Sequence, residues 1–157
     1  MNTTLASRAP SPERSVGSVG ENAARSDLVI RANPDPSILL VEDNPLVSRA
    51  LSVLLNKAGY QTVVFNSAKP ALDYAMTATP SAAVVDVHLP DLSGLIVVRT
   101  LRDAFGPAVP IVVCSGDTSM ATLNSLRHVG ATYFIPKPLQ GSSLIAQLDT
   151  WLRVKPI

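Results

Sequence analysis

AAVVDVHLPDLSG, residues 82–94, is the stretch on which the reading of this chain turns. Four small or β-branched apolar residues, Ala82 to Val85, run straight into a carboxylate, Asp86. A continuous apolar run of that length suits a strand buried on both faces, as in a parallel sheet. Leu89-Pro90, Asp91 and Ser93-Gly94 are loop and turn residues, so the strand ends at Asp86. In open α/β sheets, ligands bind at the carboxyl edge of the strands. A charged group there is costly to bury without a partner, so a partner for Asp86 is expected elsewhere in the chain.

Upstream, residues 38–41 form a second apolar run, which ends in Glu42-Asp43. Asn44 suits a helix cap and Pro45 the first turn that follows. Val47, Ala50, Leu51, Leu54, Leu55 and Ala58 recur at helical spacing, and Gly59 closes the helix. Residues 60–65 read as a strand. Ser67 then suits the cap of a helix carrying Ala71, Leu72, Ala75 and Met76.

Downstream, a helix over 94–104 presents Leu95, Val98 and Leu101, and Pro110 precedes a strand at 111–114 that leads into Ser115-Gly116-Asp117. A more polar helix is expected over 118–129, stopped by Gly130. A short strand at 132–135 leads into Pro136-Lys137-Pro138, and a last helix over 142–153 carries Leu144, Leu148, Trp151 and Leu152. Five strands alternate with five helices. That pattern predicts an α/β fold with a parallel sheet, helices on both faces and right-handed crossovers.

The 157 residues suffice for one domain with a real core, and 46% of them are apolar. No apolar run approaches the length needed to cross a bilayer, so no transmembrane span is expected. A formal net charge of +1 gives no electrostatic case for nucleic acid or an acidic membrane surface. The single cysteine, Cys114, excludes an internal disulfide framework and fits a reducing cytoplasm. Residues 1–36 are rich in Ser, Ala, Arg, Asn and Pro with balanced charge, and read as a mostly disordered or partly helical tail. The folded domain is expected over 37–154, with 155–157 as a short end.

In such a sheet the ends of the strands share one rim: Glu42-Asp43, Asp86, Ser115 and Lys137. Three carboxylates crowded together repel and need a counter-ion. Hard oxygen ligands with open positions suit Mg²⁺. Lys137 adds a point charge suited to a phosphate oxygen, and Ser115 a hydroxyl that donates to an oxyanion. Together these groups suit a tetrahedral anion on Asp86, held between a metal and an ammonium.

The motifs ILLVEDNP (residues 38–45), AVVDVHLPDLSGL (83–95), IVVCSG (111–116) and GATYFIPKPL (130–139) resemble, in order, the receiver domains of two-component response regulators. The resemblance implies a flavodoxin-like fold with strand order 2-1-3-4-5. It implies Asp86 as phosphoacceptor, taking a phosphoryl group from a sensor histidine kinase or a histidine phosphotransfer protein. It further implies Mg²⁺ bound by Asp43, Asp86 and the backbone carbonyl of His88, with Glu42 acting through water. Lys137 would pair with the phosphoryl group, Ser115 would move onto it, Phe134 would be the switch aromatic, and the Lys137–Pro138 bond would be cis. Phe134 stands where tyrosine is common. In that family the positions of His88 and Asp117 influence how water reaches the acyl phosphate, so the resemblance implies that the two tune its lifetime; the alternative is that both are solvated loop residues.

The expected output is phosphorylation-dependent protein binding through the fourth helix, fifth strand and fifth helix, a face that also allows a homodimer. The chain ends soon after its last helix, so a stand-alone receiver is expected. The alternatives are the receiver part of a larger DNA-binding regulator and a Mg²⁺-dependent aspartyl-phosphate phosphohydrolase.

Overall fold

The structure, a computed structural model, describes residues 36–153. The readings of the N-terminal tail and of the last residues lie outside the described residues. Five parallel strands form one sheet in the order β2-β1-β3-β4-β5: β1 (Ser37–Val41), β2 (Gln61–Phe65), β3 (Ala82–Asp86), β4 (Ile111–Ser115) and β5 (Tyr133–Pro136). Helices α1 (Pro45–Lys57), α2 (Ala68–Ala75), α3 (Gly94–Phe105), α4 (Met120–Val129) and α5 (Gly141–Leu152) connect or follow them. This is the flavodoxin-like order.

Every residue of β3 and β4 is buried, which is why both read as unbroken apolar runs. Alternate residues feed two cores. Leu39, Val41, Ala83, Val85 and Val113 pack with Ala71, Val98, Leu101 and Leu126 of α2, α3 and α4. Ile38, Leu40, Val84, Val112 and Cys114 pack with Leu51, Leu55, Leu144 and Leu148 of α1 and α5. Each large aliphatic side chain so buried contributes about 1.5–3 kcal/mol.

Asn44 caps α1, accepting from the N–H groups of Leu46 (3.0 Å) and Val47 (3.3 Å), with Pro45 in the first turn. The inward stripe of α1 differs from the periodicity. Ala50 and Leu54 are exposed and Ser48 is buried, because the buried line runs through Ser48, Leu51 and Leu55 and leaves Leu54 on its outer flank. Met76 also faces solvent, because α2 ends one residue earlier. Ser67 occupies the N-cap of α2 but makes no capping bond. The carboxylate of Asp91, from the loop after β3, accepts from Ala68 N and Lys69 N instead. Helix α4 starts at Met120 rather than at 118, because Ser119 caps it by accepting from Thr122 N. Only Leu126 of α4 is buried.

The amino edge of the sheet is tied by Arg102 of α3. Its guanidinium donates to the carbonyls of Gly130 (2.9 Å), Gly106 (2.5 Å) and Val109 (2.9 Å) and to Thr132 Oγ1 (2.9 Å). Thr132 Oγ1 in turn accepts from Ile111 N. Gly130, in the left-handed region at φ +93°, lets the chain turn against this side chain.

Candidate functional site

At the carboxyl edge, four strand ends converge as the sequence pattern implies. Asp86 is the last residue of β3 and only 3% exposed, and Glu42, just past β1, is also 3% exposed. Asp43 follows Glu42 and is exposed. Carboxylate oxygens of Glu42, Asp43 and Asp86 lie within 4.8 Å of one another.

Lys137, directly after β5, reaches across to this group. Its Nζ lies 2.8 Å from Asp86 Oδ2 and 3.1 Å from Glu42 Oε2. Burial works against the ammonium, but its hydrogen bonds to Asp86 and Glu42 outweigh that and hold its pKa above the usual lysine value. Glu42 is also shifted upward, but with burial as the winning cause. Burial, the largest cause, raises its carboxyl above the ordinary range, helped by the charge of Asp86 and opposed by the Asn44 N–H and by Lys137.

The loop after β3 folds back over the strand end. His88 N donates to Asp86 Oδ1 (3.0 Å), Gly94 N donates to Val87 O (2.8 Å), and His88 is bridged to Ser93. A Cβ at Gly94 would stand 2.0 Å from the carbonyl oxygen of Asp86, so only glycine permits this closure. The imidazole of His88 is exposed.

Ser115 ends β4 and is fully buried. Its Oγ accepts from Asp117 N (3.0 Å), and its carbonyl accepts from Lys137 N (2.9 Å). The Asp117 carboxylate turns toward α4, accepting from Thr122 Oγ1 (2.5 Å) and Ser119 N (2.9 Å). Those bonds, Thr122's first, hold it below the usual carboxylate range. The Lys137–Pro138 peptide bond is cis.

Phe134 is half-buried and packs with the α2–α4 core, while Tyr133 faces outward, edge-on to Trp151 at 6.0 Å. Phe134 lies on β5, with β4 between it and the strand that ends in Asp86. Cys114 is buried in the α1–α5 core, and burial pushes its thiol up to about 12. A thiol so placed is a packing residue of the strand.

Two participants escaped the sequence reading. Asn66 donates from Nδ2 to the Glu42 carbonyl (2.9 Å), and Asp91 caps α2. Neither has a local signature beyond that of a turn residue.

The family whose description is "Response regulator receiver domain" matches residues 38–149, and the chain belongs to it. Photosynthetic apparatus regulatory protein RegA of Rhodovulum sulfidophilum is 36% identical over 114 residues, covering 73% of this chain and 62% of that protein. The chain spans about half to two thirds of the length of such relatives. Among solved structures, chemotaxis protein CheY4 of Vibrio cholerae superposes with a TM-score of 0.69 at 26% identity, covering 74% of this chain and 98% of that one. The receiver domain of sensor histidine kinase PA1611 from Pseudomonas aeruginosa, solved with a magnesium ion coordinated in its active-site cleft, gives 0.67 at 26% identity and covers 74% and 96%. This chain is therefore a receiver domain of the two-component type, with a flavodoxin-like sheet and an acidic group suited to a metal. No helix among the described residues is long and apolar enough to cross a membrane.

Proposed function

We propose that Asp86 is the phosphoacceptor of this receiver, taking a phosphoryl group from a phosphohistidine on a sensor kinase or a phosphotransfer protein. One observation carries the reading: a nearly buried carboxylate has an ammonium at 2.8 Å, which it shares with Glu42, and a further carboxylate, that of Asp43, close beside it. That arrangement gives the nucleophile a fixed orientation and leaves a cation to meet incoming negative charge. In the step, an Asp86 carboxylate oxygen bonds to phosphorus, the P–N bond breaks, and the histidine nitrogen keeps the electron pair.

Asp43, Asp86 and the His88 carbonyl would hold Mg²⁺, with Glu42 acting through water; the carboxylate oxygens of Glu42, Asp43 and Asp86, all within 4.8 Å of one another, are hard donors suited to that ion. When bound, it would neutralise charge on the transferring group, where positioning and electrostatics supply most of the catalysis. Lys137 would exchange its bond to Asp86 for one to a phosphoryl oxygen. Ser115 would release Asp117 N and donate to the same group. The β4–α4 loop and α4, which buries only Leu126, would then shift and change what binds the face of α4, β5 and α5.

The donor would approach over the groove of about 290 Å³ lined by Val47, Leu51, Leu54, Pro138 and Leu139, since Lys137 lies in its wall. The test is transfer of labelled phosphoryl from acetyl phosphate and from a histidine kinase. Label is expected with Mg²⁺, absent with EDTA and absent in Asp86→Asn. Leu54→Asp should slow transfer from the kinase and leave acetyl phosphate unaffected.

A second reading is favoured by the share of RegA that this chain covers. It is that the chain is the receiver part of a longer transcriptional regulator. Coding sequence continuing past Ile157 into a DNA-binding domain decides for it.

A further inference from the structure

Asp91 lies five residues after Asp86, outside the acidic group, at the tip of the loop between β3 and α3. Its carboxylate is committed to another element. Oδ1 accepts from Ala68 N and Oδ2 from Lys69 N, both at 2.8 Å, and Oδ1 also accepts from Leu92 N at 3.0 Å. Those first two N–H groups open α2, and Ser67 leaves them without a side-chain cap. The same bonds, Lys69's first, hold the Asp91 carboxyl below the usual range. At its base the loop is held by Gly94 N on Val87 O and by the bridge between His88 and Ser93. At its tip, where Pro90 and Asp91 are exposed, the fastening is this cap from α2.

We propose that Asp91 is a positioning residue for the phosphoacceptor site. By capping α2 from a distant loop, it fixes the segment that carries the His88 main chain against Asp86. One carboxylate thereby stabilises a helix and sets the shape of the loop that lends the site its backbone donor and carbonyl. The inference rests on the phosphoacceptor reading above.

The test separates the two jobs. Asp91→Ala removes both, whereas Ser67→Asp with Asp91→Ala gives α2 a cap of its own and leaves the loop untied. In metal-free protein, hydrogen exchange at residues 87–93 should accelerate in both variants. Calorimetry should show Mg²⁺ binding weakened roughly tenfold in both, as for other groups that orient ligands from outside the coordination shell. Thermal stability should fall in the first variant and recover in the second. Asp91→Asn, which keeps one amide oxygen, should lie between wild type and Asp91→Ala, and it carries the test should Asp91→Ala not fold.

If the Ser67→Asp cap restores Mg²⁺ affinity and loop protection along with stability, Asp91 serves α2 alone and the proposal is overturned. It is equally overturned if Asp91→Asn and Asp91→Ala both match wild type. A wild-type protein that neither binds Mg²⁺ nor takes label sinks the phosphoacceptor reading itself, a distinguishable result.

Discussion

Two long cations serve opposite edges of the same sheet, and their partners differ in kind. Lys137 at the carboxyl edge is held by the charged oxygens of Asp86 and Glu42. Arg102 at the amino edge is held by three carbonyls and a hydroxyl, all neutral. A cation bound to carboxylates can be drawn away by an incoming anion, and its partners can accept another cation in its place. A guanidinium bound to backbone carbonyls has no such exchange open to it: removing it leaves part-buried acceptors without their donor. The first arrangement suits chemistry and the second suits architecture.

The largest effect that tests this contrast is at the nucleophile. Asp86→Asn should abolish label incorporation while leaving the fold intact, and measurable acid-stable labelling of that variant would break the assignment of the rim to chemistry. Next comes Lys137→Ala, which should slow phosphorylation by acetyl phosphate roughly a hundredfold, the scale of losing one electrostatic stabiliser. Its thermal stability in EDTA should drop and be regained with Mg²⁺, since a metal can answer the same carboxylates.

Arg102→Met should do the converse. Unfolding in urea should show a loss of about 2–3 kcal/mol from unsatisfied carbonyls, with the phosphorylation rate of the folded protein unchanged. A rate defect without a stability defect would dissolve the contrast.

The smallest effect is a pH slope. Folded Glu42 keeps its proton to higher pH than the unfolded chain does. Its contribution to stability is therefore fully present below about 4.5, the unperturbed value, and is lost as pH rises through the raised folded value. Glu42→Gln in metal-free buffer should flatten that decline, as read from urea midpoints across the same pH range.

The same contrast separates what was legible in the sequence from what was not. Asp86 and Lys137 stand beside apolar runs whose pattern marks strand ends, so the rim could be assembled from one-dimensional spacing. The bounds of β3 were readable because all five of its residues are buried and the next residues are turn formers. Arg102 was invisible for the reason that makes it architectural: most of its acceptors are backbone carbonyls, from two separate connections, and backbone carries no letter in a sequence.

Asp91 was hidden in a related way. Ser67 has the local signature of a cap, yet a carboxylate 23 residues beyond Ala68 takes the role. Leu54 misled because helical periodicity marks an apolar stripe without saying which flank of it meets solvent; here that flank forms a groove beside Lys137. At Ser115 the sequence supplied the residue but not its present bond to Asp117 N, which depends on how the β4–α4 loop turns.

Helix α4 has ten residues and gives one side chain, Leu126, to the buried interior. Six of its positions are exposed and nearly free of folding duty, on a helix that adjoins the rim. After gene duplication, two copies of such a chain can diverge in whom they address by rewriting that surface alone. Insulation between paralogous pathways is then reached without touching the acid–ammonium machinery, and without having to solve the scaffold again.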